Sequence, residues 1–119
     1  MAEVLVEDGK LHFHFTTMEH VLGVHRDQSV ALASVQEIRL VDEPIQSVHG
    51  LRVGERIPGR VAVGSFTSDE RILAAVHSHQ HKGLFVRLVE GPFDVWVVGL
   101  DDPQATVRAL SDAGLSVKQ

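Results

Sequence analysis

Hydrophobic and polar positions alternate with a period of two over most of this chain. Val4 and Val6 share a parity against Glu3, Leu5 and Glu7, and Leu11, Phe13 and Phe15 resume it against His12 and His14. Between the two runs stands Asp8-Gly9, a pair that accepts the positive φ angles of a two-residue turn. The expected element is a hairpin with strands near 3 to 7 and 10 to 16. MEHVLGVH carries Gly23 in its middle and the Arg26-Asp27-Gln28 turn behind it, which predicts a strand near 20 to 25. Ser29 to Leu32 reads as a short return strand, and Val35 to about 42 as another, ended by Pro44. From Ile45 to Arg60 no period holds, and Gly50, Gly54, Pro58 and Gly59 interrupt it. That stretch is expected to be a long irregular connection.

Alternation returns at Val61 to Phe66. The next segment carries conflicting signals, because Thr67-Ser-Asp-Glu70 is a capping-box pattern and ERILAAVH contains good helix formers. Ile72, Ala74 and Val76 nonetheless alternate, and a strand over about 70 to 77 gives the sheet a partner that a helix would not. Leu84, Val86 and Leu88, then Phe93, Val95 and Val97, repeat the period of two across Glu90-Gly91-Pro92. The chain then changes period. Asp102 is a suitable N-cap, Pro103 suits the first helical position, and Pro103, Val107, Leu110 and Gly114 follow at i, i+4, i+7 and i+11. A helix from about Pro103 to Ala113 is expected, with Gly114 in a left-handed C′ position and Leu115 folding back on Leu110.

Seven to nine short strands closed by one helix predict a mainly β fold: an antiparallel β-barrel or orthogonal sandwich capped by a C-terminal α-helix. With 119 residues and no repeat, low-complexity tract or linker, residues 1–119 read as a single domain. That length removes roughly two thirds of the unfolded surface from water. The order of elements resembles the pleckstrin-homology superfold. The chain from about Leu11 to Leu110 is similar to a group of small bacterial PH-like proteins through VQEI at 35 to 38, HGLRVGERIPGRVAVGSF at 49 to 66, AAVH at 74 to 77 and DVWVVGLDDPQATVRAL at 94 to 110. That group has no assigned catalytic residues, so the resemblance implies a fold and no active site. Phosphoinositide-binding members use a basic loop between their first two strands. The corresponding Thr16-Thr17-Met18-Glu19-His20 has neither lysine nor arginine, which argues against phosphoinositide binding.

Charge and composition narrow the partners. A net charge of -5 repels nucleic acid and anionic membrane surfaces at long range. No apolar run is long enough to cross a bilayer, and MAEVLVEDGK begins with acids where a secretion signal has bases. The absence of cysteine removes thiolate metal sites and thiol catalysis, and fits a cytoplasmic location.

Three groups of residues could carry chemistry. His49, Arg52, Arg56 and Arg60 lie among glycines and prolines, where guanidinium groups can bind a carboxylate or phosphate in bidentate fashion. Their bland alternative is pairing with Asp42, Glu43 or Glu55. His77, His79 and His81 would line one face of an extended strand about 6 to 7 Å apart, a spacing that suits a surface divalent metal. His12, His14 and Glu19 resemble part of the cupin metal motif, although Val6 stands where its glycine belongs and no second half follows. Nucleophile elbows, phosphate-binding glycine loops and zinc-protease helices are absent, so no catalytic residue is assigned and no cofactor is expected. The expectation is a non-catalytic cytoplasmic binding or scaffolding module that works through protein contacts. Its first hairpin would provide a self-association edge, weakened when its histidines are protonated near pH 6.5.

Overall fold

The computed structural model describes residues 2–15, 27–57 and 61–119, with 52–57 described by their backbone alone. The strands are β1 (Glu3–Glu7), β2 (Lys10–His14), β3 (Gln28–Ala31), β4 (Val35–Asp42), β5 (Leu51–Ile57), β6 (Val61–Thr67), β7 (Arg71–His77), β8 (Lys82–Leu88) and β9 (Val95–Leu100). Helix α1 spans Pro103–Asp112, and short 3-10 turns occupy Leu32–Ser34 and Pro44–Ser47. A three-stranded sheet runs β1-β2-β3, and a six-stranded sheet runs β4-β8-β9-β7-β6-β5.

The fold is therefore mainly β with two sheets and one C-terminal helix. It differs from the expected barrel in two respects. No ladder joins the two sheets among the described residues, so the barrel does not close. The larger sheet is also not purely antiparallel, because β9 inserts between β8 and β7 and runs parallel to β7 from Ile72↔Val95 to Ala75↔Val98. Asp94 holds that parallel pair at its start. Its carboxylate accepts the Arg71 backbone N–H at 2.8 Å, and its own N–H donates to the Arg71 carbonyl at 2.8 Å.

Hydrogen bonds from the backbone N–H and then the guanidinium of Arg71 lower the Asp94 pKa from its ordinary value. A depressed carboxylate contributes stability above its unfolded pKa, near about 3.9, and loses it as pH falls through the lower folded value. Asp94 is 40% exposed, so water screens the charge. Asp94→Ala is accordingly expected to cost under about 1 kcal/mol at neutral pH. The same variant should lose less stability than the parent between about pH 4 and pH 2, which urea titrations across that range will measure.

The first hairpin forms as its pattern dictates. Asp8 has φ of 54° and Gly9 has φ of 72°. Both are positive, as a type I′ turn requires. The register runs from Glu7↔Lys10 to Glu3↔His14. Val4, Leu11 and Phe13 are buried, whereas His12 and His14 take the opposite face. The 70 to 77 segment is a strand, β7, and its residues 72–76 are buried on both faces within the larger sheet. Burial against two neighbours overrides the local helix propensity of ERILAAVH. Helix α1 is capped by the Asp102 carboxylate, which accepts the Ala105 N–H at 3.2 Å. Its other end is a Schellman motif. Gly114 has φ of 92°, Leu115 N–H donates to the Leu110 carbonyl, and Gly114 N–H donates to that of Ser111. Val107 and Leu110 bury its inner stripe.

The stretch from Ile45 to Arg60 departs from its expected irregularity. It holds most of the turn at Pro44–Ser47 and the whole of β5, which pairs with β6 from Leu51↔Thr67 to Ile57↔Val61. Ladder pairing to β6 makes the strand, and an edge position tolerates the polar, glycine-bearing LRVGERI that period counting rejects. The expected strand near 20 to 25 lies outside the described residues.

Two hydrophobic cores result. Between the sheets lie Leu11, Phe13, Leu84, Val86, Trp96 and Leu110, with Phe13 edge-on to Trp96 at 5.5 Å. The other face of the larger sheet gathers Phe66, Ile72, Val76, Phe85, Val95 and Val97. The Arg39 and Arg87 guanidinium groups lie over the Phe85 ring at 4.4 and 5.2 Å, covering it with cation–π contacts.

Candidate functional site

The structure places the candidate residues on several elements. His49 is exposed, and its Nδ1 stands 3.4 Å from the Ser68 hydroxyl. Arg52 and Arg56 belong to β5, opposite Phe66 and Ala62, so they are part of a ladder and not of a free loop. Arg60 lies outside the described residues, as do the side chains of Arg52 and Arg56.

The histidines at 77, 79 and 81 do not share one extended strand. His77 ends β7, and a turn follows at once. The His77 and His79 rings are 6.0 Å apart, but His79 Nε2 is 3.2 Å from Asp101 and His81 Nδ1 is 2.9 Å from Glu43. The residue between them is the one the fold uses most. Gln80, 4% exposed, accepts the His77 N–H through Oε1 at 2.9 Å and reaches Asp101 through Nε2 at 3.4 Å. A polar residue soon after an almost entirely apolar strand is a signal that its amide satisfies the strand end. His12 and His14 stack with rings 5.4 Å apart and 2° from parallel. His12 donates to the Glu7 carbonyl, and His14 pairs with Asp27 at 2.8 Å, while Glu19 lies outside the described residues. Among the described residues no group of three or more histidines and carboxylates is arranged to hold a metal ion.

A different site emerges at the N-terminal strand. In a two-residue hairpin the residues flanking the turn form a hydrogen-bonded pair, and such pairs alternate along the ladder. Here the flanking pair is Glu7 and Lys10, so Glu3, Leu5 and Glu7 direct their backbone groups to β2, and Val4 and Val6 direct theirs to the outer edge. β1 is terminal in its sheet, so that edge is open among the described residues. On the larger sheet, by contrast, the tail covers part of β4: Leu40 N–H donates to the Lys118 carbonyl, and Lys118 N–H donates to that of Ile38. Lys118 Nζ also reaches Glu37 at 3.2 Å, which, with the Arg39 guanidinium, holds the Glu37 carboxyl below its ordinary pKa.

The open edge of β1 borders a cleft of about 520 Å³. Residues 2–5 form one wall, Ala105, Thr106 and Ala109 of α1 the other, and Leu100, Asp101 and Asp102 its end. Ala105 and Ala109 are exposed. They stand one helical turn apart, and their short side chains leave the space between helix and strand unfilled. Exposed alanines at that spacing on an otherwise polar helix face were the available signal. Glu3, Asp101 and Asp102 are exposed carboxylates, and no lysine or arginine lines the cleft among the described residues. Comparison with family models, curated proteins and solved structures finds no match for this chain. No helix among the described residues is long and apolar enough to cross a membrane.

Proposed function

We propose that this chain is a small non-catalytic binding or scaffolding module that works through protein contacts, with β1 as its contact strand. The observation that supports this most is the row of outward backbone groups at Val4 and Val6 beside an open cleft. Such groups gain hydrogen-bond partners when another chain adds a strand, and neighbouring pockets then select side chains. A pleckstrin-homology-like relationship and a cytoplasmic setting belong to the same proposal. Two packed sheets with a C-terminal helix agree with that relationship, whereas the parallel β7–β9 pair differs from a purely antiparallel sandwich.

A second copy is one partner such an edge accepts. Antiparallel pairing centred on Val4 sets Val4 against Val4 and Glu3 against Leu5 of the second copy, avoiding carboxylates directly opposite one another. Light-scattering mass over a wide concentration range, from about pH 5.5 to 8, tests this form. The expected result is a dimer at high concentration that dissociates on dilution. Val6→Pro removes an outward N–H from an edge position that tolerates proline, and it should return the protein to monomer with its fold intact. A monomer under every condition removes self-association and leaves β1 open to a different chain. The alternative, an anionic ligand held by Arg52 and Arg56, would use the edge strand β5 rather than a free loop.

A further inference from the structure

Resting on that reading of β1, we infer that the cleft between β1 and α1 takes an extended basic segment of another protein as a fourth strand, with basic and apolar residues in alternation. Geometry specifies the alternation. A strand placed about 4.8 Å outside β1 pairs through the Val4 backbone, and the residue opposite Val4 points its side chain to the same face as Val4. That face is the one on which Val4 and Leu110 join a common core, so the incoming side chain meets α1 at Ala105 and Ala109, whose short side chains leave room for an apolar residue. Its two neighbours face the other way, alongside Glu3. Charge specifies the sign. Glu3, Asp101 and Asp102 stand exposed at the cleft with no lining cation among the described residues. Asp101 and Asp102 each spend part of their acceptor capacity on internal bonds, and both remain accessible. Glu3 therefore meets the basic side chains directly, and Asp101 and Asp102 add a negative field at the end of the cleft. A second copy would bring the same three carboxylates to the junction, a like-charge cost that a basic segment converts into attraction.

The test titrates the full-length protein with an end-capped peptide, Lys-Val-Lys-Val-Lys, its glutamate counterpart, and a version N-methylated at both valines. Backbone amide shifts and calorimetry are the readouts. The lysine peptide is expected to shift amides of residues 2–6 and 105–109. N-methylation should weaken it by about tenfold or more. Glu3→Lys and Ala109→Arg, both at exposed positions, should do the same. Binding should also weaken between about 50 mM and 500 mM salt. Equal binding of the glutamate peptide, insensitivity to N-methylation, or shifts confined to another part of the molecule would overturn the inference. A protein that dimerises through β1 but ignores the lysine peptide overturns the basic partner and keeps β1 as the contact strand. A monomer that binds no peptide overturns both.

Discussion

Trp96→Ala is expected to lower folding stability by about 3–5 kcal/mol, a large share of the roughly 5–15 kcal/mol that holds a domain of this kind together. Trp96 lies on β9, inside the larger sheet, and is 1% exposed. Its ring meets Phe13 of the small sheet edge-on at 5.5 Å. Such an aromatic pair adds roughly 1 kcal/mol to simple burial. The loss is therefore not confined to one strand. No ladder joins the two sheets among the described residues, so their attachment depends on side-chain packing, and an indole-sized void at the contact weakens the docking of β1, β2 and β3 together. Urea unfolding followed by far-UV circular dichroism will measure it, fluorescence being unsuitable because this is the only tryptophan. Trp96→Phe keeps an aromatic edge for Phe13 and should recover much of the difference. A fall below about 1.5 kcal/mol for Trp96→Ala would mean that the sheets are held by something other than this contact.

The same docking positions the cleft, and this explains why the cleft was hidden in the sequence while much of the fold was not. Local signals were sufficient where a short segment satisfies itself. Asp8-Gly9 closes its hairpin, and Asp102, Pro103 and Gly114 delimit α1, because turn and cap geometry depend on a few adjacent residues. β7 was legible by a narrower margin, since its alternation competed with a capping-box pattern and its burial on both faces is a property of its neighbours. β5 was not legible. Gly54 faces Gly64 in the ladder, and the strand takes its order from β6 rather than from its own composition.

The site suffered more. Arginines spaced every four residues attract attention in a list of letters, yet two of them are in a ladder. The cleft unites residues 2–5 with residues 100–109, nearly the whole chain apart, and its walls are alanines and single acids that look like ordinary surface. Gln80 is flanked by more conspicuous histidines, although it alone of HSHQH is buried.

Gly83→Ala is expected to cost about 2–3 kcal/mol, the upper part of the range for overpacking a filled interior. Gly83 and Gly99 are directly paired on β8 and β9, and both face the second core. Their missing side chains form a shallow trench across the sheet, the circumstance in which glycine inside a strand marks a close approach. Each half of the trench is occupied. A Cβ at Gly83 would lie 2.5 Å from Pro44 Cβ and 2.6 Å from the Val98 carbonyl oxygen, while one at Gly99 would overlap the Gln80 side-chain amide, 2.6 Å from its Cδ. The two substitutions should differ in cost for that reason. Gln80 is a flexible side chain, though moving it exposes the His77 N–H and the Asp101 contact it satisfies. At Gly83 the obstacles are a proline ring and main chain, and Pro44 begins a turn whose preceding residue, Glu43, already has φ of 47°. Relief there has to come from lifting residues 44–47 off Val48, Val41 and the rest of that core. Urea midpoints should place Gly83→Ala below Gly99→Ala, with unchanged slopes in both. Equal midpoints, or a Gly83→Ala protein as stable as the parent, would mean that the Pro44–Ser47 turn is not seated in the trench in solution.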